Sequence, residues 1–488
     1  MPSNWKHAIA VFGVGVIVCV SPGSATLASG RFCCKALSLR LGNKVYSPSD
    51  QVYTDSLKSY YAQQEEELSP DCIVKPTSRE DVATAVRILS AFDSVSKRVC
   101  PFAIRGGGHT PFAGSANINK GVTIDLRSIK DVKVSLDRSI TSVGAGALWG
   151  DVYTTLDPMS LSVIGGRVSS VGVGGLTTGV NYEIVLAGGK IVDANATERP
   201  DLWRALRGGS NNFGVVTRFD LRTFSQGSFW GGLIQYNISF APEALKAFSE
   251  FNKAENYDEY ASLIQNFGFV GGLGFGAANS LEYTRPVESP SVFDAWTNIQ
   301  PKFVDTLRVS NLADFTNEQA TFSPNGFRQF YITTTFKNDL GLLTTAYDLW
   351  NSSVDSVANV RGISYALTFQ PIPPAITSKS APLGGNSLGL DPNDGSLVLC
   401  LLTMTYDRRA DDALVKSTGQ GLINRIDTAA REKGLDHPFK YLNYAAADQK
   451  PIEGYGANNV ANLRAVSRKY DPEGLFQTGV PGGFKLFR

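Results

Sequence analysis

The sequence predicts an α+β protein built as two successive sheet-and-helix domains, residues 68–225 and 226–430, closed by a C-terminal segment, 431–488. Two patterns predict it. From "PDCIVKP" onward, short apolar strands alternate with helix-periodic and glycine-rich stretches. Beyond residue 225, longer alternating segments such as "GGLIQYNISF", "QFYITTTF" and "SLVLCLLTMTY" mark a second sheet with helices on it. Bulk is the third observation: 488 residues, 43% hydrophobic and 19% charged, have the proportions of a multi-domain globular chain.

Residues 1–25 read as a secretory signal peptide, with Lys6, an apolar run from Ala8 to Val20, and small residues around Ala25 and Ala28. The run is shorter than the ~20 residues of a membrane span, so secretion is expected and a membrane anchor is the alternative. Asn-x-Ser/Thr triplets at Asn195, Asn237 and Asn351 are compatible with glycosylation on that route. An N-terminal segment, 26–67, follows. With Cys19 leaving in the signal, Cys33, Cys34, Cys72, Cys100 and Cys400 remain, an odd set. Cys33 and Cys34 are poorly placed to join each other, so bonds from this pair to Cys72 or Cys100 are expected. One of these four can instead pair elsewhere or lack a partner. Cys400, inside an apolar stretch, is expected as a buried free thiol.

In the first domain, "PDCIVKP" is a strand and Thr77 to Glu80 a capping box before the helix "DVATAVRIL". "PFAIR" and "GVTIDL" are strands flanking a glycine-rich loop. "TSVGAGALWGDVYTTL" is a strand that turns through glycines into a helix. "YEIVLAGGKIVDA" is a hairpin turning at Gly188-Gly189, and "RPDLWRALRGGSNNFGVVTRFDL" a short helix, a polar loop and a strand.

A net charge of +1, without a Lys/Arg block, argues against a nucleic-acid partner. Three histidines, one of them His7 in the signal, leave no multi-histidine metal site, and His437 reads as an ordinary loop residue. No Gly-x-Ser-x-Gly elbow is present. Glycine-rich segments recur at "RGGGH", "VGAGALWG", "GGRVSSVGVGG" and "RGGSNNFG". None fits a P-loop or the spaced dinucleotide fingerprint. Several separate loops whose backbone N–H groups cradle a pyrophosphate fit better, and they imply a nucleotide cofactor. His109 sits directly after three glycines in the first of them.

"AIRGGGHTPFAG", "VGAGALWGDVY", "GGRVSSVGVGGLTTG", "GGSNNFGVVTRFDL" and the C-terminal "YLNYAAAD" with "YGANNVANLRAVSRKYDPEGLFQ" together resemble a secreted fungal FAD-linked oxidoreductase of the berberine-bridge-enzyme-like group, with the vanillyl-alcohol-oxidase (PCMH-type) fold. The resemblance runs from about Cys34 to the C-terminus. It implies a PCMH-type FAD-binding domain of two α+β subdomains at 68–225 and a central substrate domain of antiparallel sheet plus helices at 226–430. The segment 431–488 is then expected to return to the FAD domain. It implies FAD bound covalently through His109, with Arg105, Gly106, Gly107, Gly108, Thr110, Gly114, Gly172, Gly174, Gly175, Val216 and Asn443 around the cofactor. Tyr444, the second tyrosine of a Tyr-x-Asn-Tyr motif, is the expected base, with Tyr441 beside it; the alternative is that both merely pack on the flavin. A phenol, ordinarily near pKa 10, needs help from its surroundings to act as a base.

Two departures stand out. Some members add a cysteine link in the later loop, where this chain has Val168, so a single covalent bond is expected. After "GGLTTG" the chain passes from Gly179 straight to "VNYEIVLAGG", omitting a segment several times an average strand of about 5–6 residues. In relatives that segment passes close to the isoalloxazine ring and often carries a cysteine. Either the sequence skips a stretch the gene encodes, or the shorter loop is real and damages flavin binding. The expected activity is hydride transfer from a small organic substrate, a secondary metabolite rather than a sugar, to the flavin, with dioxygen as acceptor. An oxidative cyclase, a carbohydrate oxidase and a flavin-free inactive protein are the alternatives.

Overall fold

Three sheets organise the chain, and each draws its strands from one stretch of sequence. The structure, a computed structural model, describes residues 29–95, 100–177 and 179–488. The expected signal peptide lies outside the described residues.

The first sheet contains β1 (Val45–Tyr46), β2 (Cys72–Val74), β3 (Phe102–Arg105) and β4 (Val122–Asp125), in the order β1-β2-β4-β3. Strands β2, β4 and β3 are parallel, with the helix Arg79–Val95 leading from β2 to β3. That helix starts one residue later than expected. Ser78 Oγ accepts from the Asp81 N–H at 3.2 Å, while the Asp81 carboxylate accepts from the Thr77 and Ser78 N–H groups. The reciprocal cap is therefore Ser78 with Asp81, not Thr77 with Glu80, whose carboxylate pairs with Arg79.

The second sheet holds β5 (Val132–Val134), β6 (Ile140–Gly144), β7 (Leu161–Val163), β8 (Asn181–Val185), β9 (Ile191–Asn195) and β10 (Val215–Ser225). Its pairings are antiparallel. The β8–β9 hairpin forms as its glycines predict, with Val185 opposite Ile191 and Gly189 at φ +75°. These two sheets share one apolar core, which includes Trp149, Tyr182, Phe213 and Phe219.

The third sheet has nine strands: β11 (Phe229–Tyr236), β12 (Ala261–Val270), β13 (Gly274–Tyr283), β14 (Lys302–Asp305), β15 (Arg308–Ser310), β16 (Arg328–Lys337), β17 (Ser364–Ile372), β18 (Leu397–Tyr406) and β19 (Asp436–His437). Alternation splits its faces. Tyr365, Leu367 and Phe369 of β17 and Val398, Cys400 and Leu402 of β18 enter a second core with the helices Ala241–Phe251, Leu340–Ser353 and Asp412–Glu432. Residues of the opposite parity, including Thr368 and Gln370 on β17 and Tyr331 and Thr333 on β16, are largely polar. A sheet face this polar is not suited to a dry core, and it turns toward the glycine-rich loops.

His437 is not a loop residue. It pairs with Thr335 at the sheet edge, its Nδ1 accepts from the Phe439 N–H, and its Nε2 lies 3.3 Å from Asp394. The C-terminal segment thus first extends the third sheet. Its helix Ala457–Tyr470 then returns to the first core through Leu463 and Val466. The N-terminal helix Ser29–Leu41 and β1 likewise belong to the first sheet's layer. Among the described residues, no helix is long and apolar enough to cross a membrane.

Disulfides join Cys33 to Cys100 and Cys34 to Cys72, and Cys400 is a buried free thiol. Both bonds tie the N-terminal helix to the first sheet. Replacing Cys34 and Cys72 by serine should cost about 2–5 kcal/mol, read as a lowered midpoint in thermal or urea unfolding.

Candidate active site

The loop that carries His109 leaves the carboxyl end of β3, where open parallel sheets place their ligand crevices. Arg105, the last residue of β3, is fully buried with its guanidinium directed backward. It donates to the carbonyls of Ser56 at 2.6 Å and Ser59 at 2.7 Å and lies 3.5 Å over the Tyr60 ring. It closes the carboxyl end of the helix Gln51–Leu57 and so anchors the start of the loop.

Three of the four glycine-rich segments meet there. A Cβ on Gly107 would lie 2.5 Å from the Gly172 Cα, and one on Gly172 would lie 2.5 Å from the Gly107 nitrogen. Only two glycines allow this approach. Gly106 and Gly174 both face the Ala145 carbonyl, at 3.4 and 3.1 Å from an added Cβ. Gly174 and Gly175 are exposed, and a Cβ at Gly175 would meet nothing. Main chain is therefore presented from three directions at one open place. The buried Trp149 Nε1 and Ser170 Oγ, in the same segments, have no hydrogen-bond partner among the described residues.

The fourth segment joins through the C-terminus. Asn211 and Asn212 donate to the Gly482 and Phe484 carbonyls, and Gly482 packs on the Gly114 carbonyl. This arrangement fits a pyrophosphate-bearing cofactor, with backbone rather than lysine as its cradle. Thr110 is half-buried after His109, and Val216 sits on β10 opposite Ile184, both at the margin of this cluster.

His109 stacks on Tyr61, ring centroids 3.8 Å apart and nearly parallel. Burial pushes its imidazole down to about 4, so it is neutral, with a lone pair, at any ordinary pH. The Tyr61 hydroxyl bonds that of Tyr331 at 2.7 Å, and the Tyr331 ring meets Tyr444 edge-on at 6.4 Å. Desolvation raises both Tyr61 and Tyr331 above the usual phenol range. Tyr441 packs edge-on to Tyr444 at 4.8 Å and accepts from Asn443 Nδ2 at 3.1 Å; burial, and Tyr444 beside it, push it up to about 12.

The Tyr444 hydroxyl oxygen accepts from Arg167 Nη2 at 3.1 Å and from Gln370 Nε2 at 3.2 Å. Arg167 Nη2 also donates to Gln370 Oε1 at 2.8 Å. Beside Arg167, Glu282 on β13 accepts from the Ser280 hydroxyl, its Oε2 lacks a partner among the described residues, and burial raises its carboxyl.

The structure thus brings the predicted glycines, His109, Tyr441, Asn443 and Tyr444 to one region. It adds Tyr61, Tyr331, Arg167, Gln370 and Glu282, which sequence reasoning did not single out. Arg167 had a signal, a lone arginine inside a glycine-rich loop. Gln370 and Glu282 had only their parity on strands.

Parallel strands feed glycine-rich loops and a polar antiparallel sheet faces them, an arrangement that can hold a pyrophosphate-bearing cofactor. Comparison with known proteins agrees. The family described as "FAD binding domain" matches residues 70–195, and the one described as "Berberine and berberine like" matches residues 440–479. The FAD-dependent monooxygenase FUP4 of Fusarium proliferatum is 39% identical over 88% of this chain and 87% of its own. The FAD-dependent monooxygenase tpcD of Cochliobolus heterostrophus is 35% identical over 99% and 98%. The chain belongs to the berberine-bridge-like family of FAD-linked oxidoreductases.

Among solved structures, xylooligosaccharide oxidase from Myceliophthora thermophila bound to xylobiose shares the fold at TM-score 0.71 and 19% identity, over 92% of this chain and 99% of that one. A berberine bridge enzyme variant with (S)-reticuline does so at 0.72 and 14%, over 93% and 98%. The alignment with tpcD spans 518 positions, more than the 488 residues of this chain. That relative therefore carries residues for which this chain has no counterpart.

An unfolded imidazole takes a proton near 6.5, whereas the folded, unlinked His109 refuses it until about 4. Its contribution to stability is complete above pH 6.5 and is lost as the pH falls from there toward 4. Urea unfolding of apo wild type and His109→Gln should show their difference narrowing over that window.

Proposed function

We propose that this protein oxidises a small organic substrate, a secondary-metabolite intermediate, using FAD held covalently at His109 alone. The observation that carries the reading is the Tyr444 oxygen, bonded at once by Arg167 of a glycine-rich loop and Gln370 of the substrate sheet. Both donors point at the oxygen that must carry negative charge, as phenolate, before it can receive a proton, and one of them is a cation. Tyr441 packs against the ring and limits its rotation. Bound flavin supplies a two-electron acceptor for the substrate's hydride and delivers the electrons to dioxygen.

On the protein side, His109 offers the neutral ring nitrogen that a covalent link requires. The glycines hold the pyrophosphate, and the polar sheet face holds the substrate with Tyr444 directed at it. Val168 offers no second link. The two disulfides and the N-terminal sequence suit an oxidising, secretory route.

A second reading follows from the relatives' name, FAD-dependent monooxygenase. One oxygen atom of dioxygen would then enter the product and the other would leave as water, the two electrons and two protons coming from the substrate's own dehydrogenation through the flavin, instead of both atoms leaving as hydrogen peroxide. Turnover under labelled dioxygen separates the two, since only monooxygenation puts the label in the organic product.

Acid precipitation of the purified protein should leave flavin absorbance with the wild type and not with His109→Ala; a colourless wild type sinks the reading. Tyr444→Phe should lower kcat by about 10²–10⁴ with flavin content unchanged. Arg167→Met should weaken catalysis by the order of one charge-assisted hydrogen bond, about 1.5–3 kcal/mol, again without flavin loss.

A further inference from the structure

The segment Tyr60–Glu67 touches the candidate site from behind, and no family motif accounts for it. It grips the His109 loop at several points. The Tyr61 N–H donates to the Gly108 carbonyl at 3.1 Å, and its ring stacks on His109. The Tyr60 hydroxyl donates to the Ala116 carbonyl at 2.9 Å. Glu65 then gathers the far side of the loop. Its carboxylate accepts the N–H of Gly114 at 3.0 Å on one oxygen, and those of Ser115 at 3.0 Å and Ala116 at 2.7 Å on the other.

Glu65 is fully buried, while Gly114 has a positive φ of +88°. Three successive amides converge on one carboxylate only if the backbone curls around it, as it does around an anion. Without Glu65 those amides would be left without this acceptor beneath the loop. The Asn117 amide also donates to the Glu65 carbonyl, at 2.8 Å.

The opposite edge of the same segment bonds β16. The Gln63 N–H donates to the Phe327 carbonyl at 2.9 Å, Gln64 exchanges hydrogen bonds with the Gln329 backbone, and Glu67 pairs with Arg328 at 2.5 Å. β16 carries Tyr331, which meets both Tyr61 and Tyr444.

We propose that Glu65 is a positioning residue: by curling Gly114–Ala116 around its carboxylate it sets the conformation in which the His109 loop presents its imidazole for flavin attachment. The proposal rests on the reading that His109 carries the flavin. Glu65 touches neither substrate nor cofactor and acts through the loop. The segment is fastened to β16 as well, but it is the Glu65 carboxylate, not that edge, that shapes the loop.

The test compares wild type, Glu65→Gln, which keeps the shape but offers one acceptor oxygen, and Glu65→Ala, with Gln64→Ala as a control on the β16 side. Apo protein is mixed with FAD, and total bound flavin and its acid-stable share are followed in time. Glu65→Gln should still bind flavin but form the acid-stable share about tenfold to a hundredfold more slowly. Gln64→Ala should match wild type in that share. Amide exchange at Gly114, Ser115 and Ala116 should rise about tenfold in Glu65→Ala, a readout that needs no flavin.

An unchanged acid-stable rate in both Glu65 variants overturns the proposal. So does a parallel loss of total and acid-stable flavin, which would mark Glu65 as merely structural. A wild type whose bound flavin all leaves in acid overturns the tether reading itself, and that result is distinct from either of the others.

Discussion

The close approach of two backbones, at Gly107 and Gly172, sets the geometry of everything around the site. No side chain of any size fits between these strands of chain. The loop after β3 and the loop after β7 are therefore locked together at the one place where their main chains can touch. His109, two residues beyond Gly107, inherits its position from that contact, and Arg167, five residues before Gly172, inherits its position too. The proposed cofactor tether and the arginine at Tyr444 are consequently placed by the same junction, although 58 positions separate them in sequence.

That junction also explains the recurrence of glycine in this chain. One glycine-rich loop serves a turn, but a site assembled from several loops needs each to present main chain to its neighbours without interposed side chains. Gly106, Gly107, Gly172 and Gly174 meet this requirement in pairs. Gly175 meets nothing and stands exposed, which is what a surface left open for a ligand looks like. Side chains approach from outside the cluster: Tyr331, Gln370 and Glu282 from the third sheet, Tyr441 and Tyr444 from the C-terminal turn, and Tyr61 from the N-terminal segment.

Much of this was legible in the sequence, for identifiable reasons. Strands β2, β3, β4, β6, β10, β11, β16 and β18, the β8–β9 hairpin, the buried Cys400 and the pairing of Cys33 and Cys34 with Cys72 and Cys100 follow from periodicity, turn chemistry and cysteine spacing, all local signals. Misplaced features failed locally as well. Ser78 displaced Thr77 as the cap because Asp81 binds back to two N–H groups, an interaction any S/T-S-x-E/D run leaves ambiguous. His437 looked like a loop residue because a two-residue edge strand has no period to read. Glu65, Gln370 and Glu282 were invisible for a different reason: each is set apart only by partners about 50 or more residues away, or by an orphaned atom that burial alone reveals.

The connection that enters β8 is closed by its own hydrogen bonds rather than by a longer loop. At its far end the chain re-enters the fold fully bonded. The Gly179 N–H donates to the Tyr182 hydroxyl at 2.8 Å, its carbonyl accepts from Trp203 Nε1 and Arg207, and the Val180 N–H donates to the Asp220 carbonyl. Arg207, stacked on Trp203, also donates to the carbonyls of Leu383 and Gly385 at 2.8 Å, tying this joint to the loop between β17 and β18. A strand entry with its polar groups satisfied needs no extra residues to be stable. The chain as it stands thus enters the sheet with its polar groups satisfied. The residues that would hold the flavin, and the Arg167–Tyr444 contact that would use it, lie on the near side of that joint or in other segments and do not depend on it.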